Sequence, residues 1–174
     1  MDDMISQIEP MIPALRRYAR SLCGDLETAD DAVQDCLEKA VANWSRRRAD
    51  NPRSWVFSIL HNVAVNRLRR RSRWGRTVQL ADLPDDVQIQ QASQDDTLYG
   101  KEVLAAMEAL AEEHRSVLLL ISVEGLTYAE AADVLGVPVG TVMSRLARAR
   151  EKLRNQLEKP PNIARRPNLI RVVK

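Results

Sequence analysis

Apolar residues return every three or four positions along most of this 174-residue chain, and this period limits the possible fold more than any other feature. Near the start, Ile8, Leu15 and Leu22 follow the period, and Gly24 comes soon after. Aromatic residues make up only 4% of the chain, a composition that favours packed amphipathic helices over a β-sandwich or barrel. We therefore predict an all-α protein whose first helix runs from about Asp3 to Leu22.

The helical period is lost between residues 73 and 96, where Pro84 interrupts the chain. Every charged residue from Ala81 to Thr97 is an aspartate. Because an unstructured loop this long is unusual inside a compact domain, the stretch is better explained as a flexible acidic linker between two small helical domains. We predict a first domain at 1–74, the linker at 75–97, a second domain at 98–158 and a disordered, proline-containing tail at 159–174.

Charge is unevenly distributed, although the net charge is only +2. Between Arg46 and Arg76, arginines greatly outnumber the single acid, Asp50, which suits a polyanionic partner. The preceding helix, which Asp25 can cap, has one polar, mostly acidic face. That face consists of Asp30, Asp31, Gln34, Asp35 and Glu38. The pattern alone leaves two interpretations of it open: a solvated surface, or a docking surface for a basic partner.

A further helix is predicted after Pro52, a residue that suits a helix start. Its apolar stripe includes Trp55, which we interpret as a packing residue rather than a platform for stacking bases. The period puts several polar residues mainly on the other faces: His61, Asn62, Asn66, Arg67 and Arg70. The helix becomes increasingly basic toward its end.

The stretch from Leu126 to Arg150 has the pattern of a helix-turn-helix. Thr127 and Glu130 have the spacing of a capping box, Gly136 can end the short helix, and a longer basic helix is predicted from Thr141 to Leu157. On the short helix, the residues expected to pack are Ala129, Ala132 and Leu135. On the longer helix, those expected to face inward are Val142, Leu146 and Ala149, and those expected to face DNA are Ser144, Arg145 and Arg148. Arg148 is the first candidate for reading a base.

Nearly the whole chain, from about Ile8 to Leu157, resembles the extracytoplasmic-function (ECF, group 4) sigma factors of bacterial RNA polymerase. Ala29–Leu37 is similar to the family's D-A-x-D-x-x-Q-[DE]-x-[FL] stretch, and Trp55–Ala64 with the arginines at 69–71 is similar to its W-[LV]-[FY]-x-I-[AL]-x-N-x-A segment. Gly125–Arg148 resembles the helix-turn-helix pattern of the family's second domain, and this match is the most specific of the three.

The resemblance implies three binding surfaces. The first docks on the clamp helices of the largest subunit of core RNA polymerase, through Asp31, Gln34, Asp35 and Glu38. The second recognises and melts the minus-ten promoter element, through Arg46, Arg47, Arg48, Arg53, Asn62, Asn66, Arg67 and Arg70. The third reads the minus-thirty-five element, through Thr141, Met143, Ser144, Arg145 and Arg148. The family often has Asp where Asn66 stands and a basic residue where Met143 stands.

The resemblance also implies partners and a regulator. An anti-sigma factor is expected to bind between the two domains and to cover both DNA surfaces. The acidic linker resembles the sigma segment that leads toward the polymerase active-site channel, and a simple tether remains the alternative. A function in stress response and a cytoplasmic location without membrane insertion are expected.

Other classes of protein fit the sequence less well. A free-standing helix-turn-helix regulator would not need the acidic face or the arginine-rich helix of the first domain. A sigma mimic that sequesters a regulator would not need basic DNA-reading helices. An enzyme is disfavoured because His61 and His114 fall in different domains, and because the sequence shows neither a pairing of a nucleophile with a base nor a glycine-rich phosphate loop. We expect His114 to be exposed. No cofactor or metal is expected, and Cys23 and Cys36 are expected to be free thiols.

Overall fold

A computed structural model describes residues 2–47, 51–73 and 94–158, and every regular element among them is helical. The prediction of an all-α fold with two small helical domains is confirmed. The first domain contains α1 (Asp2–Ile8), α2 (Ile12–Cys23), α3 (Leu26–Asn43) and α4 (Pro52–Arg73). The second contains α5 (Gln94–Glu108), α6 (Glu112–Leu118), α7 (Tyr128–Leu135) and α8 (Val139–Leu157).

The start of the chain differs from the single helix predicted for Asp3 to Leu22. A 3-10 turn at Glu9–Met11 separates α1 from α2. Pro10 lies in that turn and Pro13 in the first turn of α2. Because proline has no backbone N–H to donate, both residues are tolerated at a helix start and interrupt a helix interior. The end of α2 agrees with the prediction, since Gly24 caps it in the left-handed conformation with φ of 76°.

Helices α2, α3 and α4 pack around the core of the first domain. Asp25 caps α3 by accepting a hydrogen bond from the backbone N–H of Thr28 at 2.8 Å. The largest fully buried side chains here are Leu15, Tyr18, Leu22, Phe57 and Leu60. Trp55 is half-buried against this core and meets Trp44 edge to face, with 5.9 Å between ring centroids, which agrees with a packing role. Cys23 and Cys36 are buried free thiols, as predicted.

In the second domain, α6 passes directly into a π-helical turn at Leu119–Val123, and Gly125 follows with φ of 69°. Helix α5 begins at Gln94, a few residues before the predicted linker end at 97. The rest of the predicted linker and the tail at 159–174 lie outside the described residues.

The two domains share one continuous apolar core, and α4 packs against α7 while α2 contacts α6. Polar contacts cross the same boundary. Arg115 on α6 donates from Nη1 to the backbone carbonyl of Leu22 at 3.0 Å. The described helices therefore form a closed arrangement rather than two separate bodies.

Three burial predictions are wrong. His114 is 6% exposed rather than an exposed helix residue, and His61 is buried at 9% exposure rather than on an outer face. On α7, Ala129 is exposed because it falls in the first turn, outside the core-facing set. Ala131, Ala132 and Val134 are the buried residues of this helix, and Leu135 is half-buried.

Candidate nucleic-acid interface

The short helix α7 is fixed at both ends by local chemistry. Thr127 Oγ1 accepts from the backbone N–H of Glu130 at 3.2 Å, while Glu130 Oε2 accepts from the backbone N–H of Thr127 at 2.8 Å. This reciprocal pair is the predicted capping box, and it satisfies donors that the first turn of a helix leaves without partners. These bonds to Thr127 lower the pKa of the Glu130 carboxyl. At the other end Gly136 adopts φ of 64°, which starts the tight turn into α8.

Helix α8 buries one face and presents the other. Val142, Leu146 and Ala149 are 0%, 2% and 0% exposed, as predicted for the inward face. The remaining face carries the predicted minus-thirty-five residues. Met143, Ser144 and Arg148 are exposed, while Thr141 and Arg145 are half-buried.

Two features of this face were not predicted from the sequence. Val139 is 41% exposed and lies one turn before Met143, which is 53% exposed, so the start of α8 has an apolar ridge. Arg145 Nη2 lies 3.6 Å from Glu113 Oε2 on α6, so this arginine is partly held by its own domain. The apolar ridge is suited to contact with a thymine methyl group in the major groove.

The predicted minus-ten residues lie on the outside of α4 and in the segment before it. Asn62, Asn66 and Arg70 are exposed and successive turns apart, so they form one polar row. Arg46 is exposed, and the guanidinium of Arg47 lies 4.1 Å from the Trp44 ring centroid in a cation–π contact. Arg48 lies outside the described residues.

A pocket of about 370 Å³ lies between α3 and α4, next to this row. It is lined by Thr28, Asp35, Lys39, Val63, Asn66, Arg67, Arg70 and Arg71. Four of these side chains are cationic and one is a carboxylate. The pocket thus brings part of the predicted minus-ten set next to the predicted polymerase-docking set.

The predicted docking residues share one face of α3. Asp31, Gln34 and Glu38 are exposed, and Gln34 Nε2 donates to Glu38 Oε1 at 3.2 Å. Asp35 is half-buried. The face therefore presents carboxylates to solvent, and its role as a docking surface stays a prediction.

Arg67 connects the two predicted surfaces, which sequence reasoning treated as separate. Its Nη1 donates to Asp31 Oδ2 at 3.1 Å, and its Nη2 donates to Asp35 Oδ2 at 2.6 Å. The bond to Asp35 is the main reason that the pKa of Arg67 is raised. A basic partner that took over these carboxylates would free the guanidinium of Arg67.

Arg53 is in contact with the second domain. Its Nη2 donates to the backbone carbonyl of Glu124 at 2.5 Å, and its guanidinium lies 5.7 Å from the Phe57 ring centroid. The neighbouring Asn51 donates from Nδ2 to Glu130 Oε1 at 2.5 Å. Arg53, one of the predicted minus-ten residues, is therefore held at the start of α4 by the segment that leads into α7.

Glu124 is a buried carboxylate at this boundary, and the sequence analysis did not identify it. Its side chain has no exposed surface, and both of its oxygens accept from Arg17 on α2, Oε1 from Nε at 2.9 Å and Oε2 from Nη2 at 2.7 Å. This two-pronged geometry is the strong form of an arginine–carboxylate pair. The partners lie 107 positions apart, so no local pattern could have indicated their contact.

Among the described residues, no group of three or more histidine, cysteine, aspartate or glutamate side chains could hold a metal ion. Within the same ranges, no helix has the length and apolar character needed to cross a membrane.

Comparison with known proteins assigns the family. A family model described as the Sigma2 domain of PhyR matches residues 8–61, and one described as Sigma-70, region 4 matches residues 100–153. The ECF RNA polymerase sigma factor EcfG of Rhodopseudomonas palustris (strain TIE-1) is 36% identical over 154 residues, which cover 87% of this chain and 83% of that protein. This chain belongs to the ECF RNA polymerase sigma factor family. The resemblance inferred from the sequence motifs is confirmed at the level of this family.

Two solved structures are similar to this one over most of the chain. RpoE of Bartonella quintana, solved in complex with the anti-sigma factor NepR, matches with a TM-score of 0.76 and 29% identity over 91% of this chain and 99% of that one. CnrH, solved in complex with the cytosolic domain of CnrY, matches with a TM-score of 0.64 and 28% identity over 88% of this chain and 86% of that one. The similarity of this chain to RpoE and to CnrH therefore extends over both helical domains.

Proposed function

We propose that this ECF sigma factor belongs to group 4, binds core RNA polymerase and directs it to promoters through two DNA surfaces. The observation that best supports this function is the combination of three faces in one chain. They are a carboxylate face on α3, a row of asparagine and arginine on α4, and an exposed polar face on α8, which buries its opposite face in the core. The chain acts by binding in the cytoplasm and needs no reaction centre of its own.

Core polymerase is proposed to dock on α3 at Asp31, Gln34, Asp35 and Glu38. A basic coiled coil, such as the clamp helices of the largest subunit, has the complementary charge for this face. Docking that displaces Arg67 from Asp31 and Asp35 would couple polymerase binding to the preparation of the DNA surface. The domain limits that go with this role are 1–74 for polymerase and minus-ten binding, and 98–158 for minus-thirty-five binding.

Minus-ten melting is proposed to use the row on α4 and the segment before it. The residues involved are Arg46, Arg47, Arg48, Arg53, Asn62, Asn66, Arg67 and Arg70. Melting needs no catalysis, because a surface that binds an unpaired strand and a flipped base shifts the duplex equilibrium toward the open form. The cationic lining between α3 and α4 supplies the charge that an unpaired phosphate backbone requires.

Minus-thirty-five recognition is proposed to use the exposed face of α8. The side chains involved are Thr141, Met143, Ser144, Arg145 and Arg148. Arginine can pair with the two acceptors of a guanine in the major groove, and the exposure of Arg148 supports its assignment to that contact. Arg145 would have to leave Glu113 to make a comparable contact.

An anti-sigma factor is the proposed regulator. The sigma factor RpoE of Bartonella quintana, whose solved structure this chain resembles, was solved in complex with the anti-sigma factor NepR. A partner that binds between the two domains could cover the α4 row and the α8 face at once. We propose that a protein of this class controls the present sigma factor.

A second candidate function follows from the first-domain match. The family model at residues 8–61 is named for PhyR, and solved PhyR structures are described as those of an anti-anti-sigma factor. A sigma mimic would bind the anti-sigma factor without initiating transcription. The exposed DNA-reading face of α8 favours the sigma function, because a mimic gains nothing from it.

Run-off transcription separates these functions. The assay combines sigma-free core polymerase, a pool of genomic promoter fragments and either the wild-type chain or Arg148→Ala. We expect discrete new start sites that weaken by about tenfold in the variant, since one good arginine–guanine pair contributes about 1–3 kcal/mol of discrimination. Arg154→Ala is the matched control, because Arg154 is exposed near the end of the same helix and the charge change is identical.

The outcomes identify the alternatives. Start sites that weaken with Arg148→Ala but not with Arg154→Ala support the sigma function. DNA binding without polymerase-dependent initiation would indicate a free-standing regulator. Binding of an anti-sigma factor without initiation or promoter binding would indicate a sigma mimic.

A further inference from the structure

The two predicted DNA surfaces are not equally accessible in the closed chain. On α8, Met143, Ser144 and Arg148 are exposed. At the start of α4, Asn51 and Arg53 are engaged by the second domain through Glu130 and the carbonyl of Glu124. The second domain therefore covers one end of the predicted minus-ten surface and leaves the predicted minus-thirty-five face open.

We propose that the second domain is an intramolecular inhibitor of the first. In the free chain it occupies Asn51 and Arg53, and single-stranded minus-ten DNA binds that surface only after the domains separate. This inference rests on the proposed function, because it takes Arg53 to be a DNA contact. It adds that the closed chain restrains itself before any other protein is bound.

The contacts between the two domains can hold the closed state and still allow the domains to separate. We call the pairs Arg17–Glu124 and Asn51–Glu130 the latch. Glu124 is fully buried and is paired through both oxygens with Arg17, whose side chain is 52% exposed. Replacing Arg17 would leave the buried Glu124 carboxylate without a partner, and replacing Glu124 by Gln would set an amide N–H₂ group, which cannot accept a hydrogen bond, against the Arg17 donors, so the closed state depends on both. Complete separation of the domains costs less than the loss of one partner, because both charges then regain water and their desolvation no longer has to be offset by the pair.

Polar contacts fix how the two domains are aligned in the closed state. Asn51 donates to Glu130 at one end of the boundary, and Arg115 donates to the carbonyl of Leu22 at the other. These groups are partly buried, and losing their partners without regaining water is costly, so a slightly displaced arrangement is disfavoured relative to the closed one. The result is a choice between fully closed and separated domains.

Promoter geometry requires the separated state. Elements centred about 25 base pairs apart lie about 85 Å apart along B-form DNA, at about 3.4 Å per base pair. A compact body of this chain length has a radius of gyration of about 16 Å. A closed chain therefore cannot place α4 and α8 on both elements at once.

Three variants test the latch. Glu124→Gln keeps the shape of the side chain and removes the charge that pairs with Arg17. Asn51→Asp keeps the oxygen that accepts from the backbone N–H of Arg53, but it replaces the donor to Glu130 with a second carboxylate. Glu151→Gln is the control, because Glu151 is exposed on α8 and its loss changes the net charge by the same amount as Glu124→Gln.

Two measurements on the full-length chain, without polymerase, report the result. Small-angle X-ray scattering should give a larger radius of gyration for Glu124→Gln and Asn51→Asp than for the wild type and Glu151→Gln. Fluorescence anisotropy with a mixed-sequence single strand should show at least about fivefold tighter binding for Glu124→Gln, within the usual range of coupling between sites. Binding to a mixed-sequence duplex should change no more than it does in Glu151→Gln, because the α8 face is already open.

Several results would overturn the proposal. One is a Glu124→Gln chain with wild-type circular dichroism, an unchanged radius of gyration and unchanged single-strand affinity. If Glu124→Gln does not fold, an Asn51→Asp chain that has the wild-type radius of gyration would also overturn the proposal. Expansion without tighter single-strand binding would overturn the inhibitory role and the assignment of Arg53 to DNA. The run-off assay tests the sigma function separately, so the two failures can be distinguished.

Discussion

His61 shows how one buried polar side chain can make the stability of this protein depend on pH. It lies on α4 at 9% exposure, and its Nδ1 is 3.0 Å from the hydroxyl of Tyr18, which is itself fully buried. Burial is the main reason that the pKa of His61 is lowered to about 4. The imidazole is therefore neutral in the folded protein at pH 7.

Acidification should destabilise the fold through this histidine. An unfolded-state pKa of about 6.5 lies above the folded value, so the unfolded chain binds more protons between about pH 6.5 and pH 4. The contribution is fully present above pH 6.5 and is lost as the pH falls through that window, by about 2 kcal/mol at pH 5. Urea unfolding of the wild type at pH 7 and pH 5 measures this loss.

His61→Gln provides the comparison. Glutamine retains polar atoms that can bond to Tyr18 and does not titrate, so the variant should lose less stability between pH 7 and pH 5 than the wild type does. An equal loss in both proteins would show that His61 is not the group responsible.

At the scale of single elements, the turn between α7 and α8 depends on the backbone of one glycine. Gly136 has φ of 64°, and a Cβ there would meet no atom within 4 Å. Any penalty for a side chain at this position is therefore conformational rather than steric. Gly140 in the first turn of α8 also has space around it, and its φ is not positive.

These two glycines make a matched pair. Gly136→Ala should lower the free energy of unfolding by about 1–2 kcal/mol, because an L-residue is strained in the left-handed region. Gly140→Ala should leave stability unchanged or raise it by up to about 1 kcal/mol, because alanine is the better helix former. Urea midpoints of the two variants against the wild type measure both effects, and equal shifts would refute the conformational argument.

At the scale of the whole molecule, the shared core predicts joint unfolding of the two domains. The buried residues form one cluster that includes α2, α4, α6, α7 and α8. The chain's three tryptophans, at positions 44, 55 and 74, all precede the second domain. Tryptophan fluorescence therefore reports on the first half of the chain, whereas far-ultraviolet circular dichroism reports on all helices.

The wild type should unfold in one transition, with the same urea midpoint by both signals, since coincident probes are the mark of a cooperative unit. In Glu124→Gln the two midpoints should separate, because the loss of hydrogen bonds to a charged group weakens the boundary by about 1–3 kcal/mol. Separate midpoints already present in the wild type would mean that the domains do not stabilise each other.

The parts of the fold that could be predicted from the sequence are those determined by local chemistry. Helical period, the capping box of Thr127 and Glu130, and the helix-ending glycines each act within a few residues. The break at Pro10 shows that a strong apolar period can conceal a local interruption. The burial of His61 and His114 depends on which helices pack together, and the period of one helix does not contain that information.

The residues of the candidate site also fall into those that local sequence pattern predicts and those that only the packing of helices brings together. The outward face of α8 and the acidic face of α3 follow from period and charge, so their residues could be named in advance. The contact of Arg67 with Asp31 and Asp35, and that of Arg17 with Glu124, join distant parts of the chain. Such contacts arise from packing angles between helices, which a single sequence does not specify.

Glu130 has consequences for how this protein can change during evolution. One of its oxygens accepts from Thr127 at the start of α7, and the other accepts from Asn51 in the first domain. A substitution there would alter helix initiation and domain docking together, so most replacements would carry two costs at once. The exposed Met143 on α8, by contrast, takes part in neither helix initiation nor domain docking. A single substitution on that exposed face can therefore change the outer surface of α8 without weakening the contact between the domains, whereas most substitutions at position 130 would weaken that contact.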